Sequence, residues 1–224
     1  MSHNYVPEMT NSGLSPTQKV LVRDEYRNKR ELYIAEERPL TIYIDSFEII
    51  TLMTLGTRPE LLSLGYVKNQ DLITKLQEIK SIQVDWSVNA AVITTTNKRD
   101  DWADRLGTRI VTTGCGQGTI FNNVLEQLDS LKILQKEIKQ STIYALIKNL
   151  NAYNDVYKSA GAVHGCSLCK GSEPLIFIED VGRHNAVDAI AGKMWLENIS
   201  GKDKIFYTTG RLTSEMIIKV AQME

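Results

Sequence analysis

The sequence predicts an α/β fold, with a layered α/β core in its later half and a smaller α+β portion before it. Three observations carry this. Short apolar runs bounded by turn formers recur along the chain, in the manner of buried strands. After one of the last such runs, Ala186, Val187, Ile190 and Met194 fall at helical spacing. The resulting order of strand, helix, strand, helix implies parallel pairing in one α/β layer.

Taken in order, residues 1–18 are polar and rich in turn formers and read as a disordered N-terminal segment. Residues 19–110 form the smaller α+β portion. Within it, runs from Leu40 to Ile44 and from Glu48 to Met53 read as strands around a turn at Asp45-Ser46. Pro59 opens a helix with Leu61, Leu62 and Leu64 on its buried side. Ser81 to Asn89 and Ala91 to Thr96 read as a second strand pair. Residues 111–224 form the α/β portion. Ser141 caps a helix carrying Ile143, Leu146, Ile147 and Leu150. Strands follow at Leu175-Ile176-Phe177-Ile178 and Ile205-Phe206-Tyr207, each with a helix after it. The last helix has Met216, Ile217 and Val220 on its inner face. The chain stops at Glu224 with no Gly or Pro stop signal, so this portion reads as cut short at its C-terminal end.

Composition narrows the function. A formal net charge of -1 points to neither a general nucleic-acid binder nor a membrane-surface protein. No apolar stretch is long enough to span a bilayer, and the start lacks a basic region followed by an apolar run. Three cysteines in 224 residues do not make a disulfide scaffold, so a cytoplasmic, reducing location is expected.

Three places could carry chemistry. The first is Gly114-Cys115-Gly116-Gln117-Gly118, where glycines leave the sulfur open to approach and let the backbone turn sharply. A nearby helix start or arginine would raise its thiolate fraction; the alternative is a small buried hydrophobe. The second is Cys166-Ser167-Leu168-Cys169 after His164, which could hold zinc or cycle as a dithiol, or be two half-buried thiols with no special role. The glutamate-containing histidine pattern of zinc deaminases is absent, and no metal is expected. The third is a pair of polar loops at the ends of the last two strands. One holds Asp180, Arg183, His184 and Asn185; the other holds Arg211, Thr213, Ser214 and Glu215. Asn185 could simply cap a helix, and Asp180 could simply pair with Arg183. At the carboxyl ends of neighbouring parallel strands, however, such loops line one crevice. Arginines and helix starts there favour a phosphate-bearing ligand, although neither loop is a P-loop.

The segment Glu179-Asp180-Val181-Gly182-Arg183-His184-Asn185-Ala186-Val187-Asp188 resembles the signature of the formate dehydrogenase accessory sulfurtransferase family, FdhD. So do Thr209-Gly210-Arg211 with Thr213-Ser214-Glu215-Met216, and the glycine-flanked Cys115. Leu64-Gly65-Tyr66 with Asn69 to Ile73, and Gly161 to His164, look like its other motifs. The resemblance implies a core similar to cytidine deaminases without their chemistry. It implies a sulfurtransferase that takes persulfide sulfur from a cysteine desulfurase onto Cys115. The sulfur then passes to the bis-molybdopterin guanine dinucleotide cofactor of a molybdenum-dependent formate dehydrogenase. Arg183, His184, Asn185, Arg211, Thr213 and Ser214 would bind that cofactor. A homodimer is left open. The sequence departs from the family in having Gly118 where many members carry a second cysteine, in Cys166 and Cys169, and in its short end. Two alternatives remain: a cofactor chaperone that turns over no sulfur, and a zinc hydrolase of deaminase type.

Overall fold

The computed structural model describes residues 5–97, 102 and 136–223. Cys115 and the boundary near residue 110 lie outside the described residues. The fold is mixed α/β.

The first sheet has five strands: β1 (Glu8–Met9), β4 (Arg38–Ile44), β5 (Phe47–Thr54), β6 (Ile79–Asp85) and β7 (Ala90–Thr95). They lie in the order β1-β6-β7-β4-β5. The β4–β5 hairpin turns where the sequence predicts, with Asp45 taking a left-handed φ of 53°. The predicted second pair is β6 and β7, antiparallel. Between the pairs, α1 (Pro59–Asn69) starts with proline in its first turn, where a missing N–H costs nothing.

The expectation that residues 1–18 are disordered does not hold from Tyr5 onward. β1 adds to the sheet beside β6, and the polar residues after it are individually pinned. Glu60 Oε1 accepts from Thr10 Oγ1 at 2.8 Å and from the Ser12 amide at 2.7 Å, and Thr10 in turn accepts from the Val84 amide. A separate hairpin, β2 (Thr17–Arg23) and β3 (Lys29–Ala35), has no counterpart in the sequence reading.

The second sheet is three-stranded, with β8 (His164–Lys170), β9 (Glu173–Asp180) and β10 (Ile205–Thr208) in the order β10-β8-β9. This corrects the expected topology. β9 and β10 do run in the same direction, but they are not neighbours: each is antiparallel to β8, which lies between them. The strand missing from the sequence reading is the Cys-x-x-Cys segment itself. It is buried on both faces, so it shows no alternation of apolar and polar residues.

α4 (Arg183–Leu196) covers one face of this sheet and α2 (Gln140–Leu150) the other. A short helix, α3 (Asp155–Ala160), precedes β8. Ser141 is not the cap of α2: the helix begins at Gln140, the cap position is Lys139, and only Leu146 and Leu150 of its predicted face are buried. The last helix, α5 (Ser214–Ala221), buries Met216 and Ile218. Ile217, expected inside, is 46% exposed.

α1 lies between α4 and the first sheet, and one apolar cluster runs through both sheets, from Leu40 and Ile82 to Ile178 and Ile190. The two portions read from the sequence therefore share a core. The crossing of α1 and α4 is close. A β-carbon on Gly65 would lie 1.6 Å from the Asp188 carbonyl oxygen, and one on Gly192 would lie 2.1 Å from that of Leu61. Only glycine permits the two backbones to touch there.

Candidate functional site

The first polar loop is built on Asp180, the last residue of β9. Its carboxylate is buried and accepts four hydrogen bonds. Oδ2 accepts from Thr54 Oγ1 at 2.6 Å and the Leu55 amide at 3.2 Å; Oδ1 accepts from the Gly182 amide at 3.0 Å and Asn185 Nδ2 at 2.8 Å. Burial still pushes its pKa upward, against the pull of those bonds. Asp180 therefore does not pair with Arg183. It ties the end of β5 to the start of α4. Asn185 is not the cap of α4 but its third residue. Its amide donates both to Asp180 and to the Met53 carbonyl, at 2.6 Å, so it holds the loop from within. Glu179 is likewise occupied: its carboxylate accepts the Val156 and Tyr157 amides at the start of α3.

The second loop follows β10 and is drawn to the first through β8. The Thr209 amide donates to the Gly165 carbonyl at 3.0 Å, and the Gly165 amide donates to Thr209 Oγ1 at 3.1 Å. Gly210 lies against the stem of Arg183, where a β-carbon would come 2.6 Å from Arg183 Cδ. The two loops expected to meet at neighbouring parallel strands are thus brought together by a different route: the intervening β8 bonds to both strands, and its first residue, His164, feels the charges of both loops.

The groups gathered here are two arginines and two histidines, with the buried Glu215 carboxylate beside them. The His164 imidazole is pushed below its ordinary pKa, first by burial and then by the positive fields of Arg183, Arg211 and His184. Arg211 is exposed, while His184 is buried. Several polar atoms in this region are buried without a hydrogen-bonding partner among the described residues: Arg183 Nε, both nitrogens of His184, and Thr213 Oγ1. His184 Nε2 does lie 3.1 Å from Glu215 Oε2, but out of line for a hydrogen bond. Thr213 is the cap residue of α5, yet its hydroxyl caps nothing. The α4 and α5 starts, both here, add positive potential. Convergent cations, orphaned donors and helix starts are what a phosphate-bearing anion needs.

A model of the FdhD/NarQ family matches residues 35–224. The chain belongs to the FdhD/NarQ family. Among curated relatives, the sulfur carrier protein FdhD of Bacillus pumilus is 29% identical over 192 residues, covering 85% of this chain and 73% of the relative. That of Bacillus subtilis is 28% identical over 210 residues, covering 90% and 80%. Among solved structures, a formate dehydrogenase accessory protein from Desulfotalea psychrophila aligns with a TM-score of 0.68 at 27% identity, over 92% of this chain and 78% of that one.

The family segments that lie among the described residues now have places in the fold. Gly65 is the helix crossing, and Asn69 donates to Asp188 Oδ1 at 2.7 Å, so the early motif braces α4 from below. Sequence reasoning weighs His164 as a possible zinc ligand or a structural residue, not as a member of the loop cluster in which its charge environment places it. It also gives no role to Asp188, although that residue ends the quoted signature segment, and passes over Lys219, whose one signal is charge on the inner face of a helix. Cys166 and Cys169 do not form a redox pair. Cys166 packs into the main core and Cys169 into a separate cluster with Leu146 and Leu150, so the two thiols face opposite sides of the sheet. Burial pushes the Cys166 thiol up to about 12, far from a reactive thiolate. Among the described residues no group of three His, Cys, Asp or Glu side chains could hold a metal ion, and no helix is long and apolar enough to cross a membrane.

Proposed function

We propose that this chain is a cytoplasmic sulfur carrier that supplies a formate dehydrogenase. It acts as a sulfurtransferase in the maturation of the enzyme's molybdenum cofactor, and Cys115 carries the sulfur as a persulfide. The single structural observation that supports an anionic cofactor as its target is the set of buried atoms without a hydrogen-bond partner, Arg183 Nε, His184 Nδ1 and Thr213 Oγ1, on loops whose Arg183 and Arg211 both act on His164. Membership of a family whose curated members are named sulfur carriers supports the sulfur chemistry.

In this reading a cysteine desulfurase is the donor. The Cys115 thiolate attacks the terminal sulfur of the donor's persulfide. A new S–S bond forms at Cys115 as the donor's S–S bond breaks, and the donor cysteine leaves as a thiolate, with no net oxidation. The bis-molybdopterin guanine dinucleotide cofactor is the substrate and supplies the sulfur-accepting molybdenum centre when bound. Arg183, His184, Arg211, Thr213 and Ser214 bind its phosphates, and Asn185 positions the first loop. The layered core then corresponds to that of cytidine deaminases, without their metal.

Mass spectrometry after incubation with a cysteine desulfurase and cysteine tests the carrier step. The expected result is one extra sulfur on Cys115, none in Cys115→Ser, and an inactive client enzyme when Cys115→Ser replaces the natural chain. Normal client maturation by Cys115→Ser would defeat the proposal.

A further inference from the structure

Two cross-links join α4 and α5, and they join equivalent positions. The second residue of each helix meets the other's: His184 Nε2 lies 3.1 Å from Glu215 Oε2. One turn further along, the sixth residue of each meets the other's: Lys219 Nζ lies 2.8 Å from Asp188 Oδ2. Along α5, Lys219 also approaches Glu215 Oε1 at 3.9 Å, and Asp188 is held from α1 by Asn69. All four members are buried, with 5% exposure at His184, 8% at Glu215, 1% at Asp188 and 3% at Lys219.

Rungs between matching positions set the two helix starts level, side by side. One rung fixes the distance between two helices. A second, about 6 Å further along at 1.5 Å per residue, also fixes their relative tilt. The starts so aligned carry Arg183 and His184 on one helix and Thr213 and Ser214 on the other. Charged groups this deep are costly unless paired, and replacing such a pair by neutral groups often leaves stability intact. The pair therefore invites a reason other than stability.

We propose that Lys219 and Asp188 are positioning residues for the anion site: their rung, buried behind the site, holds the first turns of α4 and α5 in the one arrangement that lets both act on a single phosphate-bearing ligand. This rests on the anion site of the proposed function. Neither residue touches the ligand.

The test is calorimetric titration of the full chain with guanosine diphosphate, beside its melting temperature. Asp188→Asn with Lys219→Met removes one positive and one negative charge together, so the cluster's net charge is unchanged, and the new carboxamide oxygen would still accept from Asn69. The expected result is a melting temperature within a few degrees of the parent and guanosine diphosphate bound at least tenfold more weakly. The salt dependence of binding should be unchanged, because no ligand contact is lost. Parent-like affinity in that folded double variant overturns the positioning role. Should that double variant fail to fold, Asp188→Asn with Lys219→Leu removes the same buried charge pair at unchanged net charge, with the same expectation and the same refutation. Absence of guanosine diphosphate binding by the parent chain is a distinct outcome that refutes the anion site itself, and this inference with it.

Discussion

Replacing Gly65 by alanine sets two effects of opposite sign against each other. In an exposed helix the change is favourable by about 1 kcal/mol, because alanine is the better helix former. Here the new methyl would lie 1.6 Å from the Asp188 carbonyl oxygen, where contacts under 3.0 Å are essentially never seen. The helices must therefore part by about 1.4 Å, the difference of those two distances. The obstacle is backbone, so no rotamer change relieves it. Overpacking of a filled core costs about 1–3 kcal/mol, and this case belongs at the upper end or beyond. Net of propensity, the loss is about 2 kcal/mol or more, which for a domain of this size lowers the melting temperature by about 4–8 °C or more. The carbonyl struck belongs to Asp188, so the loss should extend to guanosine diphosphate binding as well. Differential scanning calorimetry of Gly65→Ala decides between the two effects. An unchanged or raised melting temperature would mean that propensity wins, and that α1 and α4 do not meet backbone to backbone.

Three further outcomes are expected. Arg211→Ala should weaken guanosine diphosphate binding by about 1.5–3 kcal/mol, the usual worth of a charged hydrogen bond. It should leave thermal stability alone, since the side chain is exposed; equal affinity in a titration would place the anion elsewhere. With its pKa near 12, Cys166 is about one part in ten thousand thiolate at pH 8. Iodoacetamide should therefore modify it only after denaturation, and rapid labelling of the native chain at Cys166 would contradict the packing. The folded-state pKa of His164 lies below its ordinary value, so the unfolded chain takes up that proton more readily. Its contribution is neutral at high pH and turns against folding as pH falls below about 6.5. Urea midpoints between pH 8 and 5.5 should accordingly fall less in His164→Gln than in the parent, and identical slopes would remove His164 from the cationic cluster.

The elements legible in the sequence are those whose residues alternate or recur on one face. β4, β5, β6 and β7 read correctly because each packs one side against a core, whereas α1, covered on both sides, is announced by its proline start. β8 does not, because Cys166, Ser167, Leu168 and Cys169 are all buried, and a strand covered on both sides has no periodic signature. The error propagates: without β8 the flanking strands look like neighbours. The N-terminal segment misleads for another reason. Thr10 and Ser12 are held by Glu60, fifty and forty-eight residues away, and no local composition announces a partner at that range. The site is legible as a set of residue types. Asn185 reads as a ligand-facing group and Asp180 as a partner of Arg183, and both prove to be the loop's internal ties, a distinction that only their partners reveal.

The insertion of β8 between β9 and β10 governs how freely the site can rearrange. Two strands hydrogen-bonded to a common neighbour sit about 10 Å apart, at twice the usual strand spacing, and cannot drift without breaking a ladder. The loops that leave them are further tied, one at Asp180 and the other through Thr209 to Gly165. Little backbone freedom then remains to be surrendered when a ligand arrives, so the entropic penalty of binding falls mainly on side chains such as that of Arg211.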